Sequence, residues 1–218
     1  MFIGAICFYA LNYMREKTSL SHAVTFLLTC SGAIAYYSMW SGLGVTYKTS
    51  DTTPRVIFWG RYLGHLITYP LVLVDISIVF KLDNAQMIAL VGYDLVMFMA
   101  GWIGSVSVGS HKYMWWFLSF IFAVLVIVQL ASILSSEYAT DNSKMLIYIT
   151  MFATGVFPIL WLLGSEGTAA LGLSQEVGIA CVTDLIATVG FGLYFLLNYD
   201  SFGVEESEET EALTNQYV

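Results

Sequence analysis

Residues 55–80 read RVIFWGRYLGHLITYPLVLVDISIVF. After Arg55, the side chains here that carry charge or titrate near neutrality are Arg61, His65 and Asp75. The run exceeds the roughly 20 apolar residues that carry a helix across a bilayer core, and it shows no alternation of apolar and polar positions. In hydrocarbon the backbone must satisfy its own hydrogen bonds, which leaves helices or closed barrels, and a run without period-2 patterning selects the helix.

The same pattern recurs on both sides of this stretch. Apolar runs at 1–14, 21–46, 55–80, 85–107, 113–135, 145–164 and 173–199 alternate with short polar connections. The sequence therefore predicts an all-α membrane protein, a bundle of seven transmembrane helices whose first helix is short. Residues 1–200 form the membrane domain, and residues 201–218 form an acidic C-terminal tail with Glu205, Glu206, Glu208, Glu209 and Glu211. Composition agrees: 58% of the 218 residues are hydrophobic and 11% are charged, against about 25% charged in a soluble domain. No basic patch suggests nucleic acid, and the net charge of −8 owes much to the tail. Cys7, Cys30 and Cys181 all lie in apolar runs and fit neither a disulfide framework nor a metal site. The N-terminal run lacks a basic leader and an A-x-A-like cleavage site, so no signal peptide is expected. With the N-terminus outside, inner connections hold Arg15, Lys17, Lys81 and Lys144 and outer ones Lys48, Arg55 and Lys112, a small bias toward that orientation. The expected surroundings are a lipid bilayer and other membrane subunits in a homo- or hetero-oligomer.

An ionisable residue inside a span costs at least about 2.5–3.5 kcal/mol on insertion scales and survives by facing the bundle interior with a partner. Arg61, His65, Asp75, Asp94 and Asp184 meet that description. Arg61, His65, Thr68, Val72 and Asp75 follow 4-3-4-3 spacing and share one helix face. Arg61 and Asp75 are about 21 Å apart along that face, too far to pair, so the face reads either as a proton or ion track or as a set of structural polar groups. Asp184 needs a cation, and Arg61 is the expected one. Glu166 and Glu176 flank the entry to the last helix and read as an acidic mouth or as plain exposed loop carboxylates. Pro70 removes one backbone donor and is expected to kink the third helix. No nucleophile–base pair or phosphate loop suggests an enzyme.

Several stretches together resemble the microbial (type 1) rhodopsins, the bacteriorhodopsin-like pumps in particular. These are Arg61-Tyr62 with Pro70 to Asp75; Ala89 to Asp94; Trp115-Trp116; Phe157 to Gly167 (FPILWLLGSEG); and Asp184 with Val189 to Gly192. The resemblance covers about residues 30–195. It implies that Arg61 is the arginine below the chromophore, Asp184 a counter-ion with Tyr36 as its hydrogen-bond partner, and Asp75 an internal proton donor. It places Asp94 by the ring end of the retinal pocket, Pro158 and Trp161 on its walls, and Glu166 with Glu176 as a proton-release pair.

The departures matter as much. The resemblance places the retinal-binding lysine at position 188, where this chain has Thr188, and a hydroxyl cannot form an imine. The proton-accepting acid is Gly64, the stacking tryptophan is His65, its opposite partner is Thr154, and Phe157 replaces a tyrosine. These losses agree with one another: without an imine there is no cation to neutralise and no proton to accept. The small residues predict either a void or water-filled cavity in the polyene space, or its filling by Tyr69, Tyr93 and neighbouring aromatics. No covalent cofactor is expected, and noncovalent retinal or another apolar ligand is disfavoured. The expectation is a non-pumping, opsin-related accessory or structural subunit. Alternatives are an ion or proton conductor using Asp75, Glu166 and Glu176, and a photoreceptor with a noncovalent pigment.

Overall fold

A computed structural model describes residues 1–14, 20–51 and 54–202. The loop residues Arg15 and Lys17 and the acidic tail from residue 203 lie outside the described residues. The apolar runs become α1 (Phe2–Met14), α2 (Leu20–Trp40), α3 (Trp59–Val79), α4 (Asn84–Val106), α5 (His111–Ile133), α6 (Asp141–Leu163) and α7 (Leu173–Leu197). All except α1 are long and apolar enough to cross a membrane. α1 has 13 residues, about 20 Å of helix, and is short as expected.

Local chemistry sets the ends. The Asp83 carboxylate accepts from the Gln86 amide at 2.7 Å and caps α4, and the Thr140 hydroxyl accepts from the Ser143 amide at 3.2 Å and caps α6. Lys81, at φ 48°, turns the chain out of α3. α3 runs unbroken through Pro70. Within α7, Leu185–Gly190 adopts a wider π-helical winding before α-helix resumes at Phe191.

One expectation fails. The apolar runs 21–46 and 55–80 predict helix through residue 46 and from residue 55. Instead, β1 (Thr46–Lys48) and β2 (Val56–Phe58) pair antiparallel, with Tyr47 opposite Ile57. The hairpin forms because residues 41–58 lie between the two spans, where Gly42 and Gly44 interrupt the apolar run and Pro54 blocks helix on its N-terminal side.

Sequential helices pack as neighbours, and α7 closes the ring against α2. The interior divides into layers. At the hairpin end Ile57, Tyr62 and Trp161 cluster; at mid-depth Tyr69, Met97, Phe98, Ala123, Ala153 and Ala187; at the far end Leu28, Val72, Leu73, Ile76, Phe191 and Phe195 among a larger set. Outward faces such as Phe117, Val124 and Val128 on α5 stay exposed and apolar, as lipid contact requires.

Candidate functional site

Two polar clusters occupy the hairpin half. In the first, Arg61 reaches both glutamates: Nη1 donates to Glu176 Oε1 at 2.8 Å and Nη2 to Glu166 Oε1 at 2.7 Å. The Tyr62 hydroxyl donates to the other Glu166 oxygen. The Ser165 amide donates to Glu176 Oε2 at 2.7 Å. Both glutamates are 1% exposed, so they are a buried acidic mouth rather than loop decoration. Burial pushes the Glu166 carboxyl above the usual carboxylate range, and Arg61 and the Tyr62 hydroxyl pull it only part of the way back.

A second tier of bonds braces the loops around this mouth. Arg55 donates from Nε and Nη2 to Asp51 at 2.8 and 2.7 Å, from Nη1 to the Glu166 carbonyl at 2.9 Å and from Nη2 to the Ser107 carbonyl at 2.7 Å. Lys112 Nζ donates to the carbonyls of Glu166 and Gly167. The hairpin, the α4–α5 connection and the α6–α7 connection are thus tied together. The Gly109 amide and then Arg55 hold the Asp51 carboxyl down to about 2.

The second cluster centres on Asp184. It accepts from the Tyr36 hydroxyl at 2.6 Å, meets His65 Nε2 at 3.0 Å, and accepts from Tyr69 at 3.4 Å. The expectation that Arg61 pairs with Asp184 is therefore corrected. Arg61 spends its terminal nitrogens on the two glutamates, and His65, one turn along the same face of α3, takes Asp184 instead. Thr188 lies in the π-helical stretch, and its hydroxyl donates to the Asp184 carbonyl at 2.6 Å.

Around His65 the mid-bundle is packed with rings. His65, Phe98 and Phe157 lie 4.6–5.7 Å apart, centroid to centroid, and Tyr69 lies 4.9 Å from Phe98. Tyr93 is not among them; it sits against Phe122. Trp161 donates its indole N–H to the Gly101 carbonyl, and the Pro158 carbonyl accepts from Trp116. Cavities of about 20 and 10 Å³ remain beside His65 and Asp184, room for about one water each. At Gly64, an added Cβ would come within 2.7 Å of the Ala35 Cβ, so α2 and α3 pack where an acid would stand. Residues that lack the lysine and fill the space with their own rings do not fit covalent retinal.

The remaining polar residues do not join these clusters. Thr68 Oγ1 donates to its own helix, at the Gly64 carbonyl. Asp75 accepts from the Thr25 hydroxyl at 3.1 Å, and its other oxygen has no partner among the described residues. Both Asp94 oxygens and Thr154 Oγ1 are buried without partners among the described residues. The 4-3-4-3 face is therefore not continuously polar: Val72, buried in an apolar cluster with Leu73 and Ile76, stands between Thr68 and Asp75. Sequence reasoning missed Tyr62, Phe98, Arg55 and Lys112. One signal was available: Arg55 stands four residues after Asp51.

A family model described as bacteriorhodopsin-like protein matches residues 1–201. The chain is 34% identical to archaerhodopsin-3 of Halorubrum sodomense, over 97% of this chain and 86% of that protein. It is 32% identical to bacteriorhodopsin of Halobacterium salinarum, over 88% and 76%. The structure of a thermophilic rhodopsin from Rubrobacter xylanophilus superposes with a TM-score of 0.84 at 27% identity, covering 93% of both chains. That of a light-driven proton pump from Coccomyxa subellipsoidea gives 0.83 at 24% identity over 90% of both, a likeness of fold alone.

Proposed function

The chain belongs to the bacteriorhodopsin-like family, and from that premise we propose that it is an integral membrane member that cannot form a retinal Schiff base and works as a non-pumping accessory or structural subunit. The observation that carries this reading is the mid-bundle itself. Position 188 offers a threonine hydroxyl committed to the Asp184 carbonyl, and His65, Tyr69, Phe98 and Phe157 pack ring on ring in the mid-bundle. Three helices would have to repack before an elongated polyene could enter. The same packing counts against a noncovalent pigment.

Conduction is the weaker reading because Asp75 stands apart from the His65–Asp184 cluster, bonded to Thr25 on α2. Between His65 and Asp75 the α3 face carries Thr68, whose hydroxyl donates to its own helix at the Gly64 carbonyl, and then the apolar Val72. In this proposal the hairpin end faces outward with the N-terminus, and the exposed apolar faces meet lipid and partner subunits in a homo- or hetero-oligomer.

The test is to purify the protein, add all-trans-retinal and record absorbance and light-driven proton movement in liposomes. The expected outcome is the spectrum of free retinal and no flux. A red-shifted band, or current under illumination or a pH gradient, overturns the proposal. Thr188→Lys alone is expected to leave the spectrum unchanged, because the rings and not only the missing amine exclude the polyene.

A further inference from the structure

At the hairpin end, apart from the two buried clusters, a cleft of about 400 Å³ lies between the hairpin, the start of α5 and the α6–α7 connection. Its lining combines two cations, Arg55 and Lys112, with the apolar side chains of Pro54, Val56 and Leu173.

The two cations stand close together. Arg55 Nη1 and Lys112 Nζ both donate to the Glu166 carbonyl oxygen, at 2.9 and 3.0 Å, so they lie within about 6 Å of each other and repel. Asp51 answers one of them, accepting from Nε and Nη2 of Arg55. The Glu166 carboxylate is spent on Arg61 and Tyr62. Among the described residues Lys112 meets no carboxylate at bonding distance; its nitrogen is held by the carbonyls of Glu166 and Gly167. A guanidinium has five N–H donors and an ammonium three. The bonds formed here use all but one on each residue, and the one left on Arg55 is on Nη1, the nitrogen beside Lys112.

We infer that this cleft binds the phosphate of an anionic lipid, with Arg55 Nη1 and Lys112 Nζ donating to the headgroup and the start of the lipid chains lying against Pro54, Val56 and Leu173. An oxyanion between the two nitrogens relieves their repulsion and supplies the counter-charge that Lys112 lacks. Two helix starts add to the local positive potential. Lys112 stands in the first turn of α5, and α7 begins at Leu173 on the cleft wall. The position along the bundle fits as well, since the spans of α5 and α7 begin at His111 and Leu173, at the level where headgroups lie.

The apolar part of the lining favours a lipid over free phosphate. A cleft of this volume is of the size that takes a whole organic group. Leu173 is 43% exposed and Val177, one turn further along α7, is 40% exposed, so an apolar path leads from the cleft onto the lipid-facing side of the helix. The chain as a whole carries a net charge of −8 and has no general attraction for anions, so a preference for them has to come from a local arrangement such as this one. The cleft lies outside the mid-bundle, and the inference stands or falls independently of the reading of the retinal space.

The experiment is native mass spectrometry of the full protein released from micelles that contain equal amounts of phosphatidylglycerol and phosphatidylcholine. The expected result is one phosphatidylglycerol retained with a preference of about tenfold or more, undiminished by inorganic phosphate. Equal retention of the two lipids overturns the inference. Displacement by inorganic phosphate overturns the assignment to a lipid. Leu173→Glu places a carboxylate on the cleft wall at a helix start, where the fold accommodates it, and should weaken retention about tenfold. Leu173→Gln, of the same shape without the charge, should stay within about threefold of the wild type. If the two variants behave alike, the lipid phosphate is not held here. A photoactivatable phosphatidylglycerol locates the lipid on the wild-type protein without any substitution. Label on the segments 54–56 or 165–173 is expected, and label confined to other segments overturns the inference.

Discussion

In the hairpin half of the bundle Glu166, Glu176 and Asp184 each accept hydrogen bonds from at least two groups, whereas at mid-depth Asp94 has none among the described residues and toward the far end Asp75 has one. All five carboxyls are buried. The difference lies in what surrounds them. The hairpin half collects donors from the Ser165 amide, from Arg61 and Tyr62 near the start of α3, and from Tyr36, His65 and Tyr69, so its acids are held as members of networks. The interior offers helix faces whose amides are already used, so an acid there stays unsatisfied unless a hydroxyl happens to point at it. Fully paired clusters rigidify one end, and the unpaired acids mark where polar groups remain in a core otherwise packed with rings and aliphatic chains.

The comparison breaks most visibly at Arg61. Arg61→Leu leaves Glu166 and Glu176 buried without their shared cation and is expected to cost about 3–5 kcal/mol in reversible unfolding in mixed micelles. Adding Glu166→Gln and Glu176→Gln should recover a large part of that loss. If the single variant is as stable as the wild type, the paired-network account of the hairpin end is wrong. A substitution at Asp94 sharpens the contrast in the other direction. Asp94→Leu removes two unsatisfied oxygens and should raise stability by about 1–3 kcal/mol, and a clear destabilisation would mean that the carboxyl has a partner after all.

The smallest effect belongs to the surface tier. The folded protein holds Asp51 at about 2, below its ordinary 3.8, chiefly through the Gly109 amide and Arg55. A depressed carboxylate contributes its stability above the unfolded value and loses it as pH falls through the folded one. The melting-temperature gap between wild type and Asp51→Asn should therefore persist at neutral pH and close between about pH 4 and about pH 2. A gap that stays constant over that window excludes the charge as its source.

The sequence alone carried the helices because an apolar run of twenty or more residues in lipid has no alternative to intrasegment hydrogen bonding. It also carried the identities of the buried ionisable residues, since composition makes each conspicuous, and the replacement of a lysine by Thr188. It misread residues 41–58, where two short strands too brief for a periodic signal pair across a turn. It could not assign partners. Arg61 and His65 are four residues apart on one face, and either could serve Asp184; the choice depends on where the α6–α7 connection delivers Glu166 and Glu176, which is a matter of tertiary packing. Likewise Gly64, Thr154 and Thr188 are small and suggested room, but whether small residues leave a void or let neighbours close in depends on helix separation. Here α2 approaches α3 at Gly64, and Tyr69, Phe98 and Phe157 take the remaining volume, because a packed interior loses dispersion energy wherever a gap is left.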